Sequence, residues 1–219
     1  MGHDDQTTPQ DKEPKPFELI SRRRFLIYLG LFFGSIMAGL SLLRTFGVKT
    51  VNRFRINSIE PTQLFDPDTW TLTIDGLVDT LLEISYDELK KLKSEEQISD
   101  FHCVEGWSVE DVRYRGIRMK TLFDMVDLRR DARFVTFHSA SSQYKDSLSI
   151  EEAMEPEVML AYEIYGKPLS AEQGRPLRLV MPRMWGYKNV KWVDRITFTR
   201  SQEVGYWELR GYNIDGVSY

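Results

Sequence analysis

The longest apolar run in the chain, residues 25–43 (FLIYLGLFFGSIMAGLSLL), holds 19 residues without a charge, close to the roughly 20 that cross a bilayer as a helix. A helix apolar on every face belongs in lipid or in a very large core, so the run predicts one transmembrane helix. Arg22, Arg23 and Arg24 stand directly before it, and the bias of basic flanks towards the cytoplasmic side then carries the rest of the chain across the membrane. Leu42-Leu43-Arg44-Thr45 offers no small-x-small cleavage pattern, which favours retention as an anchor over removal. Residues 1–16 are polar, contain three prolines and show no apolar period; such a segment has too little apolar surface to bury. The pattern divides the chain into a disordered polar N-terminus (1–20), an anchor (21–46) and a globular domain (51–219).

From Val51 onward the period shortens. Trp70-Thr71-Leu72-Thr73-Ile74 alternates apolar and polar positions and ends at Asp75-Gly76, a strand followed by a turn. Ser85-x-x-Glu88, before Leu89 and Leu92, and Ser149-x-x-Glu152 both have capping-box spacing. In that device the serine hydroxyl accepts from the third helical N–H while the carboxylate accepts from the serine N–H. Two short helices are expected there. Further strands are predicted over residues 133–137, 158–164, 177–181 and 190–198, with Gly or Pro between them. Strands and short helices interleaved without a regular βαβ rhythm predict a mixed α+β fold.

Charge and cysteine usage narrow the chemistry. With 29 basic and 33 acidic side chains well mixed and a net charge of −4, the chain has no basic surface for a nucleic acid. Its single cysteine, Cys103, excludes an intramolecular disulfide. No zinc or haem-attachment spacing, no iron–sulfur or flavin motif and no Gly-rich nucleotide loop is present. Cys103 lies in Phe101-His102-Cys103-Val104-Glu105-Gly106-Trp107-Ser108, where a strand-like stretch meets a Gly-Trp break. Three readings are open: a small buried hydrophobe, a nucleophilic thiolate, or a metal ligand. A nucleophile needs a base; His102 would face the opposite side of a strand, which leaves His138.

A second feature lies in the C-terminal third. Arg175, Arg178, Arg183, Lys188 and Lys191 gather there with Pro176, Pro182 and Gly186. Leu177, Leu179 and Met181 alternate with Arg178 and Val180, so Arg178 shares a strand face with Val180, and a partly buried arginine needs an anionic partner. With Asn189 nearby, the group suits a phosphate-bearing ligand.

Five ordered segments then become recognisable: Trp70 to Asp75-Gly76; Cys103-Val104-Glu105-Gly106-Trp107-Ser108; Leu160-Ala161-Tyr162-Glu163 with Gly166-Lys167-Pro168-Leu169; Gly174-Arg175-Pro176-Leu177-Arg178-Leu179-Val180-Met181-Pro182; and Gly186-Tyr187-Lys188-Asn189-Val190-Lys191-Trp192. Together, over residues 54–212, they resemble the sulfite oxidase family of molybdopterin enzymes. The resemblance implies that Cys103 is the thiolate ligand of molybdenum beside the two dithiolene sulfurs of one pterin, and that the chain is an oxygen-atom-transfer oxidoreductase. It places Arg178, Lys188, Asn189, Val190 and Lys191 at the pterin and its phosphate, with Gln173 and Ser139 as further contacts and His138 as the alternative to Ser139. Phe54-Arg55-Ile56-Asn57 is similar to the F-R-N-H segment of the sulfite-oxidising branch, although Ile56 and Ser58 break the match. Phe54 and Asn57 are then expected beside the cofactor and Arg55 at the substrate. Tyr212 resembles the family's active-site tyrosine, whose phenol hydrogen-bonds substrate.

Ser21-Arg22-Arg23-Arg24-Phe25-Leu26 resembles a twin-arginine export box, with Ile27 where lysine is customary. That route carries folded, cofactor-loaded proteins. It implies a catalytic domain on the outer, periplasmic face of the cytoplasmic membrane, working with a membrane-bound electron-transfer partner. Sulfite and S- or N-oxides both remain open as substrates. The alternatives are a membrane-anchored binding domain of the same fold without catalysis and a cysteine hydrolase using His138.

Overall fold

Both expected capping boxes are formed, and they mark where extended chain turns into helix. In the computed structural model, which describes residues 50–51 and 53–218, Ser85 and Ser149 each accept from the N–H three residues on, and Glu88 and Glu152 return the bond. A third box, Ser170 with Gln173, opens a 3₁₀ turn over Ala171–Gln173. In chain order the elements are β1 (Thr50–Val51), β2 (Phe54–Arg55), β3 (Thr71–Gly76), β4 (Leu82–Ser85), α1 (Tyr86–Lys91), β5 (Glu95–Cys103), β6 (Trp107–Arg118), α2 (Met119–Phe123), β7 (Phe134–Ser139), β8 (Lys145–Ser149), α3 (Ile150–Ala153), β9 (Met159–Ile164), β10 (Lys167–Pro168), β11 (Arg178–Val180) and β12 (Val193–Thr199). Strands dominate this mixed α+β order, and the helices are single brief turns. The proposed N-terminal tail and transmembrane anchor lie outside the described residues.

Two five-stranded sheets organise residues 49–219, which form one compact unit. One runs β4-β3-β12-β7-β8, with β12 parallel to β3 and the other pairs antiparallel. The other runs β10-β9-β6-β5, with β11 also pairing β9. Each sheet face supplies a core. Leu72, Ile74, Val135, Phe137, Ile196 and Phe198 belong to the larger cluster. Phe54, Val109, Val112, Tyr114 and Val180 belong to the smaller.

Strand β11 shows the expected alternation. Leu177, Leu179 and Met181 enter the larger core while Val180 enters the smaller, and Arg178, next to it on that face, is only 5% exposed.

Two expectations shift. The strand expected over 190–198 begins only at Val193, because Trp192 takes φ +54°, a left-handed conformation that interrupts extended pairing. The long β5–β6 hairpin, partly anticipated before Cys103, has a broken apolar period. Asp111 has φ +54° and its N–H bonds the Asp100 carboxylate, a bulge that shifts the register between Ser99 and Phe101.

Candidate active site

Cys103 ends β5, and Val104-Glu105-Gly106 turns the chain into β6. Gly106 has φ +80° and its N–H bonds the Cys103 carbonyl at 3.0 Å, which accounts for glycine at the left-handed position of a three-residue hairpin loop. Cys103 pairs with Trp107 and lines a cavity of about 430 Å³. Burial pushes its thiol above the usual range, the Glu105 backbone N–H opposes this, and the Glu105 carboxylate and Arg55 act in opposite senses. His102, the residue before, instead meets Ser108 Oγ at 2.8 Å.

The cavity also collects Phe54, Arg55, Asn57, Arg178, Asn189, Lys191 and Tyr212. Arg178 reaches it from β11, its guanidinium over the rings of Phe54 and Phe101 at 5.7 and 5.5 Å. Gly186 lets the Gly186–Lys188 turn approach β5, since a Cβ there would stand 2.4 Å from Phe101 Cζ. Asn189 spends its side chain on the backbone, accepting from the Met181 N–H at 2.8 Å and donating to the Trp185 carbonyl at 3.3 Å. It therefore shapes the wall.

Four expected contacts do not line the cavity. Ser139 sits one layer behind, donating to Glu60 at 2.7 Å. Gln173 is buried and offers its carbonyl to Arg178 at 3.3 Å. Val190 is a core residue whose carbonyl accepts from Leu179. Lys188 is fully buried and ion-paired to Asp146 and Glu208, so its charge is satisfied within the protein. His138 also lies away from the cavity and contacts Thr197 Oγ1 at 3.1 Å. The cysteine-hydrolase reading relied on His138 as its base and loses that support. The sequence reading missed Glu60, Glu105, Trp107, Tyr144 and Trp207 in the lining; the Glu105-Gly106-Trp107 signature was the one local signal for two of them.

The electrostatics of the cavity ask for an anion. Arg178 and Lys191 have no carboxylate within ion-pairing distance among the described residues. Lys191 donates only to the carbonyls of Asn57 and Glu172, at 3.0 and 3.4 Å. Burial, with Arg178 adding to it, pushes Lys191 down to about 7, and burial also lowers Arg178. Arg178 Nε and Gln173 Nε2 are buried without hydrogen-bond partners. Buried cations and orphaned donors are costly unless an acceptor meets them. Arg178 and Lys191, which line the cavity, fit the phosphate of a pterin, and the thiol of Cys103 fits a soft metal.

A sheet-rich domain whose cavity is lined by a solitary cysteine, the buried Arg178 and the half-buried Lys191, two cations without a carboxylate partner among the described residues, defines a class. Residues 59–207 match the oxidoreductase molybdopterin binding domain, and the chain belongs to this family, the sulfite oxidase-type molybdopterin oxidoreductases. Among known relatives it is 33% identical over 151 residues to the uncharacterized oxidoreductase YuiH of Bacillus subtilis, covering 69% of this chain and 76% of that one. It is 33% identical to the protein-methionine-sulfoxide reductase catalytic subunit MsrP of Campylobacter jejuni, over 67% of this chain and 54% of MsrP. With the putative protein-methionine-sulfoxide reductase subunit YedZ1 of Azospira oryzae it shares 35% identity, over 70% of this chain and 58% of YedZ1. The chain thus spans little more than half the length of the last two. The sulfane dehydrogenase SoxCD of Paracoccus pantotrophus shares the fold, with a TM-score of 0.60 at 23% identity over 64% of this chain and 41% of SoxCD.

Proposed function

We propose that the protein is a molybdenum–molybdopterin oxidoreductase that reduces a sulfoxide at a Cys103-ligated centre. The observation that carries this reading is the shared cavity of Cys103 with the buried Arg178 and the half-buried Lys191, two cations without a carboxylate partner among the described residues. The cofactor, when bound, supplies two-electron oxygen-atom transfer: sulfoxide, two electrons and two protons give the sulfide and water. The electrons come from another protein, a membrane-bound haem or quinone-linked donor reached through the proposed anchor. Arg178 and Lys191 hold the pterin phosphate, and Phe54 and Asn57 flank it.

The rim favours a neutral S-oxide over sulfite. Glu105 is fixed beside Cys103 by Asn57 Nδ2 at 2.8 Å and Trp107 Nε1 at 3.3 Å, and a carboxylate there repels an anion. Trp107, Trp207 and Tyr212 offer apolar faces to the substituents of a thioether, and the Tyr212 phenol donates to the sulfoxide oxygen. Arg55, exposed and over the Trp107 ring at 5.8 Å, orients the substrate at the mouth. MsrP and YedZ1 carry sulfoxide-reductase names, in agreement with this choice. The twin-arginine segment and residues 25–43 complete the proposal, with the domain tethered on the periplasmic face.

The test uses full-length protein from a molybdenum-replete host. We expect one molybdenum and one pterin per chain, and viologen-driven reduction of methionine sulfoxide faster than sulfite-driven reduction of ferricyanide. A metal-free protein defeats the cofactor assignment, and preferred sulfite oxidation defeats the substrate assignment.

A further inference from the structure

Among the described residues Lys188 is the largest charged side chain wholly out of solvent, and it does not line the cavity. Its ammonium donates to Asp146 Oδ1 at 2.8 Å, to Glu208 Oε1 and to the Ser147 carbonyl at 3.5 Å. All three side chains of this triad are at most 2% exposed. Asp146 belongs to β8, whereas Glu208 starts the 3₁₀ turn Glu208–Arg210 in the C-terminal segment. The second oxygen of Glu208 accepts from the Gly205 N–H. Further along, Gly216 presses on the lysine stem so closely that a Cβ would lie 2.6 Å from Lys188 Cε. The segment from Gly205 to Gly216 thereby meets one lysine at two points, its ammonium through Glu208 and its stem through Gly216.

That same segment supplies one wall of the cavity. Trp207 and Tyr212 both line it, stacked with ring centroids 5.1 Å apart. The Tyr212 N–H bonds the Trp207 carbonyl at 3.1 Å, and Tyr187, beside Lys188, meets Tyr212 edge-on at 5.2 Å. Glu208 follows Trp207 directly, so the carboxylate that Lys188 grips sets where the wall stands.

We propose that Lys188 is a positioning residue: through Asp146 and Glu208 it locks the C-terminal segment so that Trp207 and Tyr212 form a substrate wall of the cavity that Cys103 also lines. The assignment of that wall rests on the sulfoxide-reductase reading; the lock itself does not. A lone ammonium between two buried carboxylates from distant segments is a high-stakes contact, since removing one member strands the others in a medium that solvates them poorly.

The test compares holoenzyme carrying Glu208→Gln with wild type and with Lys188→Met. Glu208→Gln keeps side-chain volume and the bond from Gly205 while removing the charge. Two readouts are taken below the unfolding temperature: trypsin cleavage after the exposed Arg210, which needs no activity, and KM against kcat for methionine sulfoxide. We expect cleavage at Arg210 to accelerate and KM to rise by roughly tenfold, the effect of about one displaced hydrogen-bonding contact, with kcat and molybdenum content near wild type. Unchanged cleavage and KM alongside a lowered melting temperature would reduce the triad to a structural role and overturn the proposal. So would failure of Glu208→Gln to yield any folded, metal-loaded protein. Accelerated cleavage in a protein that reduces no sulfoxide would keep the lock and defeat the functional reading instead.

Discussion

At the scale of single residues, the site is a small set of side chains whose charges the protein leaves unanswered. Cys103 is the one thiol in the chain, so Cys103→Ser is expected to abolish turnover while the far-ultraviolet circular dichroism is unchanged; a variant that keeps full activity would refute the ligand assignment. Arg178 faces the cavity with Nε unsatisfied, and an anion bound there forms charge-assisted bonds. Arg178→Met keeps much of the apolar stem against Phe54 and Phe101 and should lower pterin content of the purified protein by at least about tenfold, the equilibrium cost of losing a charged hydrogen bond. Pterin content equal to wild type would show that the arginine serves only the fold.

Among the elements, the Gly186–Lys188 turn decides how closely the cavity floor is packed. Phe101 contacts Phe54 at 5.2 Å and Trp107 at 5.5 Å between ring centroids, which leaves its ring little room to yield to a methyl at position 186. Gly186→Ala should destabilise the protein by about 1–3 kcal/mol, the usual cost of overpacking, and should reduce cofactor occupancy because Phe101 also carries the Arg178 guanidinium. Chemical denaturation and pterin analysis on the same preparation check both expectations. The capping boxes act on a different axis: Ser149→Ala should cost about 1 kcal/mol with cofactor content unaffected, since α3 lies outside the cavity lining.

For the molecule as a whole, the half-buried Lys191 and the buried Asp146 give the cofactor-free protein a pH signature. Lys191 is held near 7 in the fold against 10.5 in the open chain, with Arg178, Glu60 and Glu172 around it. The folded state then binds fewer protons than the unfolded state between those values, so stability rises as pH climbs from 7 towards 10. Asp146 behaves in the opposite way. Burial raises it to about 7 from 3.8, with Lys188 opposing and Glu208 adding, and Tyr144 and Tyr187 nearby. Its contribution is complete below about 3.8 and is lost as pH rises to 7. The two curves meet in a stability minimum near neutral pH. Melting temperatures from pH 4.5 to 9.5 test this, with Lys191→Met flattening the alkaline limb and Asp146→Asn the acidic one. Cofactor loading should lift the neutral minimum, because an anion beside Lys191 favours its charged form.

Local features of the fold were legible wherever the signal is short-ranged. Capping boxes at Ser85 and Ser149, the period-two strand before Asp75-Gly76 and the two-faced alternation around Arg178 depend on residues a few positions apart, and each takes the form its spacing requires. The Cys103 loop and the order of five motifs belong to the same kind of information, and with them came the family, the cysteine and the cavity cations Arg178 and Lys191. What pairs distant segments was not legible. The hairpin bulge at Asp111, the break of β12 at Trp192, and above all the fate of Lys188 depend on partners as far away as Asp146 and Glu208. In sequence Lys188 and Lys191 are neighbours in one basic cluster and read alike. Only the tertiary structure gives one lysine two buried carboxylates and leaves the other facing the cavity, because the charge a buried ammonium meets is set by which strands and turns are folded against it.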